Sequence, residues 1–190
     1  MNLVTPCTSA LLTFLSSGLR VIYLIDRDLN NTQRKNEKII TTNVDEFKSA
    51  LDKLSANLSG DKRVYCSLNE RDFNKARRLF DLKKLESDHA SPEQSFNFYK
   101  NCFNHWVSCL SKPESRATKY WLIDFDSKEF TDVTMIRYIN YLFQSDIEVF
   151  YKYETKNGFH LIVKPFKTSI FKADFVEIKK DALALLAYVI

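Results

Sequence analysis

The apolar positions of this chain change period along its length, and the changes mark the elements. Val21-Ile22-Tyr23-Leu24-Ile25 is a short unbroken apolar run and reads as a strand, followed by a polar run from Asp26 to Lys38 that reads as an exposed loop. Lys38 to Thr41 and Arg63 to Ser67 are further strand candidates. Between them Phe47, Ala50, Leu51, Leu54 and Leu58 recur at helical spacing, behind an Asn43 cap and a Glu46 placed to complete a capping box. A short helix over Leu11 to Leu15 stops near Gly18, and Gly60 closes the second helix. A third helix is expected from about Asp72 to Glu86, capped by Asn69 and burying Phe73, Ala76, Leu79 and Phe80. Ser91-Pro92-Glu93-Gln94 opens a fourth, with serine as cap and proline at the first helical position. Its expected core stripe is Phe96, Tyr99, Phe103, Trp106, Val107 and Leu110, and Lys112-Pro113 ends it.

The C-terminal part is richer in strands. Tyr120 to Asp126 is apolar until two alternate carboxylates, Asp124 and Asp126, close it. Period-two geometry assigns those two to one face and Phe125 to the other. Two carboxylates held close repel each other unless a cation or a basic side chain offsets them. Thr131 caps a helix through Met135, Ile136, Ile139, Leu142 and Phe143; Ile147 to Tyr153 is a strand. Asn157-Gly158 is a turn pair leading into a strand that starts at His160. Phe175 to Ile178 and Leu183 to Ile190 are both strand candidates, and Pro165 to Ala173 is ambiguous, with a short helix near Ile170 to Ala173 one reading of it.

From Tyr120 onward the order is strand, helix, strand, strand, a short segment and strand, the split βαβ pattern of ferredoxin-like and RNA-recognition domains. There the first and third strands are antiparallel neighbours, so the end of one meets the start of the other. Asp124, Asp126 and His160 are thereby brought to one rim. The fourth strand flanks the first and reaches the same rim, with Glu177 if it spans 175–178 or Asp181 if it spans 183–189; Asp174 is a third option. Carboxylates beside a histidine suit a hard cation that keeps waters and substrate phosphates. The expected fold class is α+β: an RNA-recognition or ferredoxin-like antiparallel sheet with packed helices over residues 114–190, plus an N-terminal α/β unit over residues 1–113 carrying a basic helix.

Composition narrows the setting. The 190 residues hold three glycines and four prolines and carry a net charge of +4, which permits a polyanionic partner without requiring one. Cys7, Cys66, Cys102 and Cys109 form no metal-ligand spacing, so buried thiols in a reducing compartment are expected. The opening segment lacks a basic region and a long apolar run, and no stretch approaches a membrane span. The expectation is a soluble, cytoplasmic protein without a membrane partner.

Asp124-Phe125-Asp126, Gly158-Phe159-His160 and Val176-Glu177 together resemble, in kind and order, the motifs of the archaeo-eukaryotic primase superfamily, which includes primase-polymerases of phages and plasmids. The resemblance covers roughly residues 118–181, without the family's zinc module or a helicase region, as in a compact phage or mobile-element protein. It implies a two-ion site for Mg2+ or Mn2+ on Asp124, Asp126 and Glu177, with Asp181 the alternative acid. It implies that His160 contacts the phosphates of an incoming nucleoside triphosphate, which is joined to a 3′-hydroxyl with release of pyrophosphate. Arg63, Arg71, Lys75 and Arg78 are the expected basic contacts to triphosphate or template, and DNA or RNA single strands, nucleotides and a helicase or other replication protein are the implied partners. Two other functions are compatible with these residues: a non-catalytic single-strand-binding or replication accessory protein, for which Tyr151 and Tyr153 offer a stacking face, and a metal-dependent phosphodiesterase.

Overall fold

The computed structural model describes residues 2–27, 37–126, 136–137, 140–142, 144–155, 158–168 and 176–189. They form a mixed α+β fold of two antiparallel sheets with packed helices. The expected helix from Thr131 is described only at residues 136–137, 140–142 and 144, which are helical; Asp174 and the segment 169–175 lie outside the described residues.

The first sheet contains β1 (Leu3–Val4), β2 (Arg20–Asp26), β3 (Glu37–Thr41), β4 (Lys62–Ser67) and β9 (Leu183–Val189), in the order β1-β9-β4-β2-β3. The second contains β5 (Trp121–Asp126), β6 (Val149–Thr155), β7 (Gly158–Val163) and β8 (Val176–Lys179), in the order β6-β7-β5-β8. Sheet membership therefore runs across residue 113: the last strand pairs with β4 and β1, not with the strands that precede it.

Alternation along β2 divides the packing. Ile22 and Leu24 enter a core with Leu11 and Leu15 of α1 (Ser9–Leu15) and with Phe47, Ala50 and Leu54 of α2 (Val44–Ser55). That core continues into the second sheet through Leu122, Tyr153 and Ile162, which joins the two sheets. Val21 and Tyr23, on the other face, meet Ala76 of α3 (Phe73–Ala90) and Val107 and Leu110 of α5 (Cys102–Leu110). The far side of the second sheet has its own core of Ile123, Phe125, Phe159, Leu161 and Val163 with Leu142 and Ile147.

The helix starts follow side-chain chemistry. Asn43 Oδ1 accepts from the Glu46 amide, and Glu46 returns the contact one residue early, accepting from the Thr42 amide. Ser91 caps α4 (Pro92–Lys100) by accepting from the Gln94 amide. Two expectations for this region are corrected. Asp72, not Asn69, caps α3, because the Asn69 amide is committed to the Tyr120 backbone. The aromatic stripe of 96–107 is only partly core: Phe96, Tyr99 and Phe103 are exposed, as is Phe73 on α3. The expected single helix breaks at Asn101, where the backbone leaves helical geometry, and the break resets which residues face inward. Phe98 is buried instead, stacked on His105 and beside Phe80. Of the cysteines, Cys102 is exposed while Cys7, Cys66 and Cys109 are buried thiols. Burial pushes Cys7 and Cys66 up to about 12, so neither is a ready nucleophile. Among the described residues no helix is long and apolar enough to cross a membrane.

Candidate functional site at the junction of the two sheets

β5 lies at the centre of the second sheet, and its register sets the site. Asp124 is directly opposite His160 on β7 and directly opposite Glu177 on β8. Three residues distant in sequence thus form one row across three strands. Phe125, one position on, points into the far core and stacks on Phe159 at 4.2 Å, so Asp124 faces the first sheet. Asp126 is opposite Gly158; its side chain is not among those described. Asn157, the other half of the expected turn pair, lies outside the described residues.

Asp124 is 6% exposed and anchors a polar chain. Its Oδ2 accepts from Lys179 Nζ at 2.6 Å, and the same ammonium lies 3.0 Å from Glu177 Oε2. Its Oδ1 lies 2.9 Å from His160 Nε2, yet among the described residues it receives no aligned hydrogen bond. On the other side of the ring, His160 Nδ1 is 2.8 Å from the Tyr153 hydroxyl, which accepts from the Leu185 amide of β9 at 3.3 Å. The Tyr153 proton is then directed to Nδ1, which leaves the ring proton of neutral His160 on Nε2, toward Asp124. Tyr153 is itself opposite His160 in the β6–β7 register.

The electrostatics follow from burial set against contacts. Burial pushes the Asp124 carboxyl up, but the His160 and Lys179 contacts outweigh it and hold the group at about 2. Burial pushes the Lys179 ammonium down, and its bonds to Asp124 and Glu177 outweigh that and hold it above its usual value. Tyr153 lies well above the ordinary phenol range because it is buried. Asp124 is therefore a carboxylate and Lys179 a cation at neutral pH.

This row opens on a polar cavity of about 240 Å³ between the sheets. Asp124, His160, Lys179 and Thr155 line it from the second sheet, with Arg63, Tyr65, Leu183 and Leu185 from the first and Arg27 just beyond β2. Arg63 is also paired with Asp61 at 3.1 Å.

The other expected residues lie elsewhere. Asp181 is in the turn before β9, bound by Arg71 and Asn69, and does not line the cavity. Arg71 is buried in that pair. Lys75 donates to the Arg116 carbonyl and pairs with Asp72, and Arg78 is exposed on α3. Of the four expected basic contacts only Arg63 reaches the cavity. Tyr153 is buried and Tyr151 packs on Phe14, so this pair does not form an exposed stacking face.

Sequence reasoning missed Lys179, Tyr153 as a histidine partner, and Arg27. Lys179 carried a usable signal, since it is two positions past Glu177 and hence on the same strand face. Arg27 carried none, because only the approach of the sheets brings it near.

Asp124 and Glu177 supply the hard oxygen donors that magnesium prefers, and the unsatisfied Oδ1 of Asp124 is an acceptor such an ion would use. Lys179 already bridges these two carboxylates, and His160 Nε2 stands 2.9 Å from the Asp124 Oδ1. Among the described residues no group of three or more His, Cys, Asp or Glu side chains is placed to hold a metal. No family model, curated protein or solved structure matches the chain.

Proposed function

We propose that this chain is a metal-dependent nucleotidyltransferase of the primase-polymerase kind, with the cavity between its sheets receiving the phosphates of an incoming nucleoside triphosphate. The observation that carries the proposal is the row Glu177–Asp124–His160 across β8, β5 and β7, of which Asp124 and His160 line a polar cavity together with Arg63 while Glu177 stands exposed at its outer side. The strand order supports it as well. With β5 and β7 central, β6-β7-β5-β8 matches the order of an RNA-recognition-like sheet, and the first sheet beside it combines strands from the N-terminal half with β9.

At about 240 Å³ the cavity falls below the roughly 300–1,000 Å³ of sites that enclose a whole ligand, so it seats a phosphate chain and leaves sugar and base outside. Arg63, Arg27 and Lys179 neutralise phosphate oxygens there, Arg63 in the forked geometry that suits them. His160 lines the cavity with Nδ1 on the Tyr153 hydroxyl and Nε2 2.9 Å from Asp124, where a phosphate oxygen entering beside Asp124 would share the Nε2 proton. Asp124 and Glu177, with Asp126 two positions further along β5, are the residues that would hold a divalent cation. When bound, such an ion activates the attacking hydroxyl and stabilises the leaving phosphate oxygens. Tyr65 and Leu185 also line the cavity.

The test is primer extension with labelled nucleoside triphosphates and magnesium or manganese. Asp126→Ala abolishes incorporation while circular dichroism and the melting temperature stay as in the wild type; equal incorporation by both proteins refutes the proposal. A second reading, a nucleotide- or single-strand-binding protein without catalysis, draws on the Lys179 bridge, which contacts both carboxylates with no metal. It predicts binding that is indifferent to magnesium.

A further inference from the structure

We infer that this chain pairs with a second copy of itself through an aromatic groove between α3 and α5, about a twofold axis that sets Arg77 of each copy against Asp81 of the other. The groove holds about 530 Å³, and its apolar walls are Phe73 and Phe80 of α3 with Cys102, Phe103 and Trp106 of α5. It shares no residue with the cavity between the sheets, so it is a separate surface. The rings are fitted to one another: Trp106 meets Phe73 at 5.3 Å and Phe80 at 5.6 Å, edge to face in both pairs. Yet Phe73 and Phe103 are 54% and 55% exposed. Rings left this bare on two neighbouring helices make a contiguous apolar patch, which protein surfaces carry mainly where something docks.

Charge at the rim selects the occupant. Arg77 and Asp81 border the groove four residues apart on one face of α3, both mostly exposed, with their charged heads 3.6 Å apart. An acidic partner would satisfy Arg77 and set like charge against Asp81; a basic partner would do the reverse. A second copy satisfies both. Two α3 helices laid antiparallel about a twofold axis between positions 77 and 81 bring Arg77 to Asp81 twice, once on each side of the axis. The same operation lays the two grooves face to face, each covered by the other's rings. A half-exposed ring offers about 100 Å², so Phe73 and Phe103 supply about a quarter of the roughly 800 Å² per partner that a specific interface buries. Phe80, Trp106 and the charged rim enlarge it, and the pairing is a reversible one.

The test is sedimentation of the full chain across a micromolar concentration series. A mass that rises from one chain to two is expected, and a single chain at every concentration overturns the inference. Phe103→Lys, at an exposed position, weakens pairing by about tenfold or more. Arg77→Asp also weakens it, because acids then meet on both sides of the axis, and adding Asp81→Arg restores it. A dimer that Phe103→Lys and Arg77→Asp leave unchanged uses another surface and overturns the assignment, as does a double swap that restores nothing. A chain that stays single while an apolar dye or a peptide fills the groove has a different occupant, which overturns it too. Should the variants fail to fold, the wild type carries its own reporter: Cys102 is an exposed thiol in the groove wall, whereas Cys7, Cys66 and Cys109 are buried. The alkylation rate of Cys102, read by peptide mass spectrometry, falls as protein concentration rises through the pairing range; a constant rate overturns the inference.

Discussion

Two carboxylates, the buried Asp124 and the partly buried Asp181, sit at opposite ends of the same idea. Each is held by a cationic side chain, yet only Asp124 borders a cavity. Asp181 is closed off: Arg71 grips both its oxygens at 3.2 and 3.3 Å, Asn69 adds a bond, and Arg71 also donates to the Lys112 carbonyl. Nearby, Asn69 pairs with the Tyr120 backbone and Arg116 with the Lys180 carbonyl, so the cluster ties the loop after β4 and the approach to β5 to the turn before β9. Asp124 instead has a half-exposed cation on one oxygen and the His160 ring 2.9 Å from the other. Burial of an acid with a partner says little about role; what differs is whether the partner can leave and whether space lies beside it. The first arrangement is a fastening, the second a seat.

Breaking the fastening has the largest expected effect. Asp181→Ala leaves the Arg71 guanidinium buried without its counter-charge and costs about 3–5 kcal/mol in urea unfolding. A loss under about 1 kcal/mol would mean that the pair is not structural. Asp124→Asn should cost less, about 2 kcal/mol at neutral pH, because its carboxyl lies at about 2 instead of the ordinary 3.8. A depressed acid stabilises the fold above its unfolded value and loses that contribution as pH falls toward 2. The gap between wild type and Asp124→Asn should therefore close as pH is lowered from about 4 to about 2. A gap independent of pH would sink the ion-pair account. The smallest effect is expected of Tyr153→Phe, about 1 kcal/mol for one hydrogen-bonding hydroxyl. Its sharper readout is the nitrogen NMR signature of His160, which should lose its Nε2-protonated preference at a pH where the ring is neutral.

Much of this contrast was legible beforehand. Alternation in β5 put Asp124 and Phe125 on opposite faces, and the strand sequence put His160 beside Asp124. The choice between Glu177 and Asp181 was not legible, because both follow plausible strands. It turned on which strand pairs with β5, and that is β8, while β9 leaves for the first sheet. The place of the basic residues of α3 was illegible for a related reason. Charge at helical spacing reveals a face but not what lies across from it, and neither Lys75 nor Arg78 lines the cavity.

The linear order of residues by itself determined the local elements, since period, caps and turn residues act within a few positions. It also determined the row of Asp124 and His160, because antiparallel neighbours align by register. Only the tertiary structure decided that Lys179 bridges two acids, that Tyr153 holds the imidazole from behind, and that Arg63 and Arg27 face them from the other sheet. The first two depend on which strands pair within the second sheet, and the last on the distance between two sheets packed through Leu122, Tyr153 and Ile162, a quantity that no short-range pattern encodes.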